Sequence, residues 1–198
     1  MKVTHLFIGS FLLMSFLFSW RFNSTPKTST VFFCEGSSLK IKGSSNVNKF
    51  ECVLDMNTLS DELLVSYIES EDYLNFTNTN LVIPAKHFDC GGKMINKDFQ
   101  KLLNTDEFPE IRLVLKKVMK SNITEDCTEA IVDVLICGIK NTYSVPITTS
   151  KSIEGNNING VLALNINDFS LEPPKKMLGV IKVSPVIEID FLLNFKVD

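Results

Sequence analysis

Only two histidines, His5 and His87, occur in the 198 residues, and His5 lies inside an N-terminal apolar run. That leaves at most one imidazole for a folded domain, which nearly excludes histidine-rich zinc sites and Ser-His-Asp arrangements, the latter having only His87 to draw on. Clusters of Lys and Arg with interleaved aromatics are also missing, and 20 basic residues stand against 23 acidic ones, a net charge of −3. Neutralising phosphates requires a positive footprint, so the sequence argues against nucleic-acid binding as a main task. The five cysteines contain no C-x-x-C pair, and neither a thioredoxin-type redox pair nor a zinc ribbon is indicated. What is present is the balance of a folding chain, 44% hydrophobic and 22% charged, at the length of one ordinary domain with at most a short appendage.

The beginning of the chain reads as a separate unit. Met1-Lys2 supplies a small positive region, and Leu6 to Trp20 (LFIGSFLLMSFLFSW) carries no charge. This run is shorter than the roughly 20 apolar residues of a membrane span and fits the apolar core of a secretory signal peptide. Residues 1–21 are therefore expected to be a signal peptide, residues 22–30 a Ser/Thr/Asn/Pro-rich linker, and residues 31–197 the folded domain. No A-x-A-type site marks the cleavage point, and an uncleaved anchor is the alternative. Removal of residues 1–21 would take away Trp20, the only tryptophan, and with it all indole fluorescence. Cys34, Cys52, Cys90, Cys127 and Cys137 all follow the leader, so one or two disulfides with one thiol left over are expected. Cys34 and Cys137 read equally well as small buried hydrophobes.

The domain repeats mostly with period two. Leu39 and Ile41 alternate with lysines; Phe50, Cys52, Leu54 and Met56 form a second series, and Ile111, Leu113 and Leu115 a third. Such alternation indicates strands with one buried face. Further strands are expected over residues 63–69, 80–85, 130–137, 143–148, 158–166 and 186–195, separated by turn signals such as Gly138 with Lys140-Asn141. One helical stretch interrupts them, Asn96 to Asn104, with Phe99, Leu102 and Leu103 on one face and Asn96 as the expected N-cap. A helix this short is unstable alone and must lie against the β core. Together these elements indicate an all-β barrel or sandwich.

Four segments taken in order resemble the YceI-like family of exported bacterial lipid-binding proteins. They are Leu39 to Asp55 (LKIKGSSNVNKFECVLD), Ile83 through Pro109, Ala130 to Val145 with Asp133, Leu135, Gly138 and Lys140, and Asp168 to Phe191 with its double proline. The resemblance implies a lipocalin-like extended antiparallel β-barrel of about eight strands with one short packed helix. It also implies an apolar lumen that holds a polyisoprenoid, either an isoprenoid quinone or an isoprenyl phosphate, for transport or storage in the periplasm. Many members carry an Arg before and a Gly after the acidic-aromatic pair. Here Asn167 and Ser170 stand there, which tilts the expectation slightly towards a neutral quinone or another lipid.

Read in this frame, the lipid-lining residues are expected to be Phe99 and Leu103 on the helix, Phe108 beside it, and Phe169 and Leu171 before the prolines. Met177, Leu178, Ile181, Val183 and Phe191 in the closing segment complete the set. Each of them also reads as plain core. Of the fifteen two-bridge arrangements that five cysteines allow with one left free, only the pairing Cys52–Cys90 has motif-based support. No catalytic residue, metal or cofactor is expected: Asp168, Asp133 and Glu188 lack a spacing that selects paired-carboxylate chemistry, and His87 is a lone imidazole at a strand end. The expected partners are an isoprenoid lipid, a membrane contacted transiently and a second copy of the chain, with no nucleic acid. The competing expectation is an exported stress-response or interaction module whose barrel is filled by its own side chains and binds no ligand.

Overall fold

The structure, a computed structural model, describes residues 25–60, 62–120, 127–152, 155–173, 175–176 and 180–198. The expected signal peptide, residues 1–21, lies outside the described residues.

The first half of the chain forms β1 (Lys27–Phe33), β2 (Ser38–Ser44), β3 (Lys49–Leu54), β4 (Glu62–Glu69), β5 (Tyr73–Asn78), β6 (Leu81–Pro84) and β7 (Phe88–Asp89). The helix α1 (Lys93–Leu102) follows, then β8 (Glu110–Met119), β9 (Cys127–Ile136), β10 (Ile139–Ser152) and β11 (Gly155–Asn165). A short 3-10 turn, Ile166–Phe169, leads to β12 (Lys175–Lys176), β13 (Ile181–Lys182) and the long closing strand β14 (Val186–Val197).

Eight of these strands close a ring in the order β1-β4-β5-β8-β9-β10-β11-β14, with β14 pairing back onto β1. Every ladder is antiparallel. The fold is a closed antiparallel β-barrel, as the strand alternation and the family resemblance predict. Closure removes the open edges that an eight-stranded sheet would otherwise expose.

Two ring strands are long enough to serve two neighbours at different heights. The end of β14 pairs with β1 at Val31↔Val197 and Phe33↔Phe195, while its middle pairs with β2 at Ile189↔Ile41 and Phe191↔Leu39. In the same way β8 pairs with β5 near Met119 and with β6 near Ile111. One half of the barrel is thus closed by β1, β4 and β5. The other half has β2, β3 and β7 on one side and β6 on the other, with α1 following β7 at that end.

Local chemistry fixes the hairpins. The β9–β10 turn is two residues long, Cys137 (φ 49°) and Gly138 (φ 77°), between the paired Ile136 and Ile139. Two consecutive positive φ values match the twist of a tight hairpin, and glycine tolerates the second of them without strain. At the closed half, Glu69 of β4 takes ion pairs from Lys27 of β1 at 2.6 Å and from Lys120, just beyond β8, at 3.0 Å. These two lysines hold the Glu69 carboxyl down to a pKa of about 2.

Three expectations are corrected. Residues 27–30 were expected in a linker, yet they form the start of β1 and pair with Leu64 to Tyr67. Their Ser/Thr-rich sequence lies on a part-exposed strand, where an apolar pattern is not required. β5, with sequence YLNFTN, was not expected at all, because its burial follows no clean alternation. The helix begins at Lys93 rather than beyond Asn96. Asn96 cannot cap it because its side chain is committed elsewhere: Oδ1 accepts from the Cys90 N–H at 2.7 Å and Nδ2 donates to Asp89 Oδ1 at 3.0 Å. Among the described residues no helix is long and apolar enough to cross a membrane.

Candidate functional site

The half of the barrel that carries α1 contains a cavity of about 690 Å³. Its walls follow from the strand alternation. On β8 and β9 the inward positions are Ile111, Leu113, Val134 and Ile136, with Leu113 paired directly to Val134. On β2, β3 and β14 they are Leu39, Ile41, Phe50, Cys52, Ile187 and Ile189. Ile83 of β6 and Phe88 of β7 line the remaining arc. Phe50 has its ring directly over Gly43, its cross-strand partner, in space that any side chain at position 43 would need. Gly43 thereby lets an aromatic ring lie flat on the wall of the cavity.

The helix supplies the next wall. Its lining residues include Ile95, Phe99 and Leu102, with Leu103 just beyond the last turn, so the predicted apolar face of the helix does turn inward. Phe99 packs on Phe88 with ring centroids 5.5 Å apart. The first turn of α1 is held by the Asn96 bonds to Asp89 and Cys90, and Cys90 is joined to Cys52 by a disulfide. This bridge fastens the entrance of α1 to a β3 residue that itself lines the cavity. The Asn96 and Gly91 bonds also hold the Asp89 carboxyl below its ordinary pKa, which preserves its charge as their acceptor.

Five of the ten residues expected to line a lipid site lie on this wall: Phe99, Leu103, Leu171, Ile181 and Val183. Three others lie off it. Phe169 is 1% exposed in the core and stacks on Tyr143 at 6.3 Å. Phe191 is paired with Leu39 on one side and Gly160 on the other, with its ring against Gly160. Phe108 packs over Gly138 at the β9–β10 turn. Phe169 is buried, whereas Phe108 and Phe191 are half-buried. Met177 and Leu178 lie outside the described residues.

The strand aliphatics of the wall were not singled out from sequence. Their signal was present in the period-two pattern and in the register that sets Ile189 beside Ile41, but the same signal marks any filled core.

Polar groups on the wall are few and lie towards one end: Ser45, Gly92, Lys93, Asp98 and Ser184. Gly92, Lys93 and Met94 are exposed, which marks this end as the mouth. The carboxylates weighed for hydrolysis do not meet here. Asp133 is bound by Thr142 Oγ1 at 2.7 Å and approached by Lys140 at 3.6 Å. Asp168 accepts from the Tyr143 hydroxyl at 3.4 Å, and Glu188 is exposed opposite Lys42. His87 is exposed on the turn between β6 and β7. Of the remaining cysteines, Cys127 is exposed, while Cys34 and Cys137 are half-buried. Burial and the Glu107 charge raise the Cys137 thiol above its ordinary pKa, and it donates to the Leu103 carbonyl at 3.0 Å.

A closed antiparallel barrel with a packed helix and an apolar interior cavity defines the lipocalin-like class of β-barrels. Within that class the chain belongs to the YceI-like domain family, whose model matches residues 22–195. Among solved structures it is similar to a polyisoprenoid binding domain from Saccharophagus degradans implicated in plant cell wall breakdown (TM-score 0.61, 14% identity, covering 87% of this chain and 100% of that one). It is also similar to BcnA of Burkholderia cenocepacia (TM-score 0.58, 16% identity, covering 79% and 94%). At these identities the likeness is one of fold. No curated protein matches the chain.

Proposed function

We propose that this protein is a periplasmic lipid-binding protein that holds a polyisoprenoid, an isoprenoid quinone or an isoprenyl phosphate, in its apolar cavity for transport or storage. The observation that carries the reading is a cavity of about 690 Å³ whose wall is aliphatic and aromatic almost throughout, with its few polar groups at the mouth. That volume lies within the few-hundred to 1,000 Å³ range of ligand sites.

The energetics favour a tail-driven mode. Burial contributes about 0.8 kcal/mol per CH2, so each five-carbon isoprenoid unit contributes about 4 kcal/mol. Three such units give about 12 kcal/mol, comparable with the estimated 4–15 kcal/mol lost on association, so a longer chain binds tightly without directional contacts. A polar head at the mouth then orients the ligand and adds little affinity. The reading is of a binder rather than an enzyme. A barrel filled by its own side chains, the competing expectation, would contain no such cavity.

The test is native mass spectrometry of the delipidated protein after incubation with a detergent-solubilised isoprenoid quinone, and separately with an isoprenyl phosphate. One molecule bound per chain, displaced by neither short-chain alcohols nor salt, is the expected result. An apo mass with both ligands would refute the reading.

A further inference from the structure

The mouth of the cavity carries exposed apolar residues on three different elements. Val47 stands at the tip of the β2–β3 hairpin and is 58% exposed; Val180, just before β13, is 68% exposed; Met94, in the first turn of α1, is 78% exposed. They border one opening. Ser45, Met94, Ile181 and Val183 all line the same cavity, and Ser45 bridges to Val183. The hairpin tip is tied to β13 through Asn46, whose side chain donates to the Val180 carbonyl at 3.0 Å and accepts from the Lys182 N–H at 2.9 Å. Tips held together in this way form one rim rather than separate loops.

The rim is also basic in a chain of net charge −3. Lys49, Lys93 and Lys182 are exposed on the same three elements, and among the described residues none of them takes part in an ion pair. Acidic residues on or beside the lining are Asp89, bonded to Gly91 and Asn96, Asp98, which is itself partnered, and Glu172, next to Leu171. Unpaired lysines around exposed aliphatic tips suit one kind of surface, an anionic lipid bilayer. Its head groups take the lysines and its acyl region takes the tips.

The geometry points to a docking rim, formed by the β2–β3 tip, the start of α1 and Val180 with β13, that seats the cavity mouth on an anionic bilayer. This inference rests on the reading of the cavity as a lipid site, because it gives the ligand a path from membrane to lumen that avoids water.

Flotation with vesicles of phosphatidylcholine alone, and of phosphatidylcholine mixed with phosphatidylglycerol, tests it on protein purified from the exporting host. Wild type is expected to float with the mixed vesicles only, and to be released by salt. Val47→Asp with Val180→Asp should weaken binding about tenfold or more, since two aliphatic tips no longer enter the acyl region. Lys49→Gln with Lys182→Gln should weaken it about fivefold for each lysine removed. Neither pair of positions borders the lumen, so both variants should retain the ligand seen by native mass spectrometry. Failure of wild type to float, or flotation of the Val47/Val180 variant equal to wild type, would overturn the inference. The second result would also be given by binding through a retained N-terminal segment, which intact mass would reveal. A ligand-loaded protein that ignores vesicles would leave the cavity reading standing without the rim, and vesicle binding by a protein that never holds lipid would do the reverse.

Discussion

Removing the Cys52–Cys90 bridge tests how the cavity is held together. The two cysteines are separated by 38 residues in sequence. On the chain-entropy model, closing a loop of that length constrains the unfolded chain by about 3.9 kcal/mol at 25 °C. Both residues are buried, Cys52 at 1% and Cys90 at 7% exposure, so the double variant Cys52→Ala/Cys90→Ala adds a small loss of packing. For a chain of this size each kcal/mol moves Tm by about 2–4 °C, giving an expected fall of about 8–15 °C. The effect should be local as well as global. The bridge anchors the turn that begins α1, and α1 forms one wall of the cavity, so ligand release should accelerate in the variant even well below Tm. Thermal melts of oxidised wild type, reduced wild type and the double variant, paired with ligand release followed over time, provide the assay. Coincident melts for oxidised and reduced protein would refute the reasoning. So would a lowered Tm with unchanged release, because it would separate the bridge from the wall.

Other consequences can be measured independently. Phe169→Ala should cost about 3–5 kcal/mol in denaturant unfolding while leaving ligand stoichiometry unchanged, since Phe169 fills the core away from the cavity. Leu171→Asp places a carboxylate on the cavity wall at a part-exposed position outside the ladders, and should lower isoprenoid affinity by at least about tenfold with little change in Tm. Glu69 has a folded-state pKa of about 2, below its ordinary value of 4.5. Its contribution is therefore present above pH 4.5 and is lost as pH falls towards 2, so Glu69→Gln should flatten the decline of urea midpoints across that window. The group is exposed, so the difference should shrink in high salt. In thiol labelling of the native protein, exposed Cys127 should react first and Cys137 last, because the Cys137 thiol is half-buried, raised in pKa and bonded to Leu103.

Much of the barrel is legible in the sequence because period-two alternation is a direct consequence of having one wet and one dry face. Residues 111–115 and 186–195 show it clearly, and both belong to the long strands that organise the sheet. β1 escapes because its apolar residues, Val31, Phe32 and Phe33, come only at its end, after a Lys-Thr-Ser-Thr run that resembles a linker. It becomes a strand by filling the gap between β4 and β14, a tertiary cause with no local signature. The helix start is misplaced for a related reason. Asn96 has the chemistry of a cap, but the neighbouring Asp89 and Cys90 claim its side chain. At the cavity, the helix face and Leu171, Ile181 and Val183 stand where the sequence reading put them. Phe108, Phe169 and Phe191 lie outside the lining of this cavity, since the size of a ring marks packing against the core but not which space it borders. Whether an inward aliphatic such as Ile187 borders a void or a neighbour depends on how the opposite walls are spaced, which no stretch of sequence records.

The central claim, that the cavity holds a polyisoprenoid, is tested most directly by organic extraction of the protein purified from its own host, followed by mass spectrometry of the extract. The account predicts one isoprenoid per chain, and less of it in the extract of a Leu171→Asp preparation. A wild-type extract with no stoichiometric lipid, together with a native mass equal to the bare polypeptide, would contradict it.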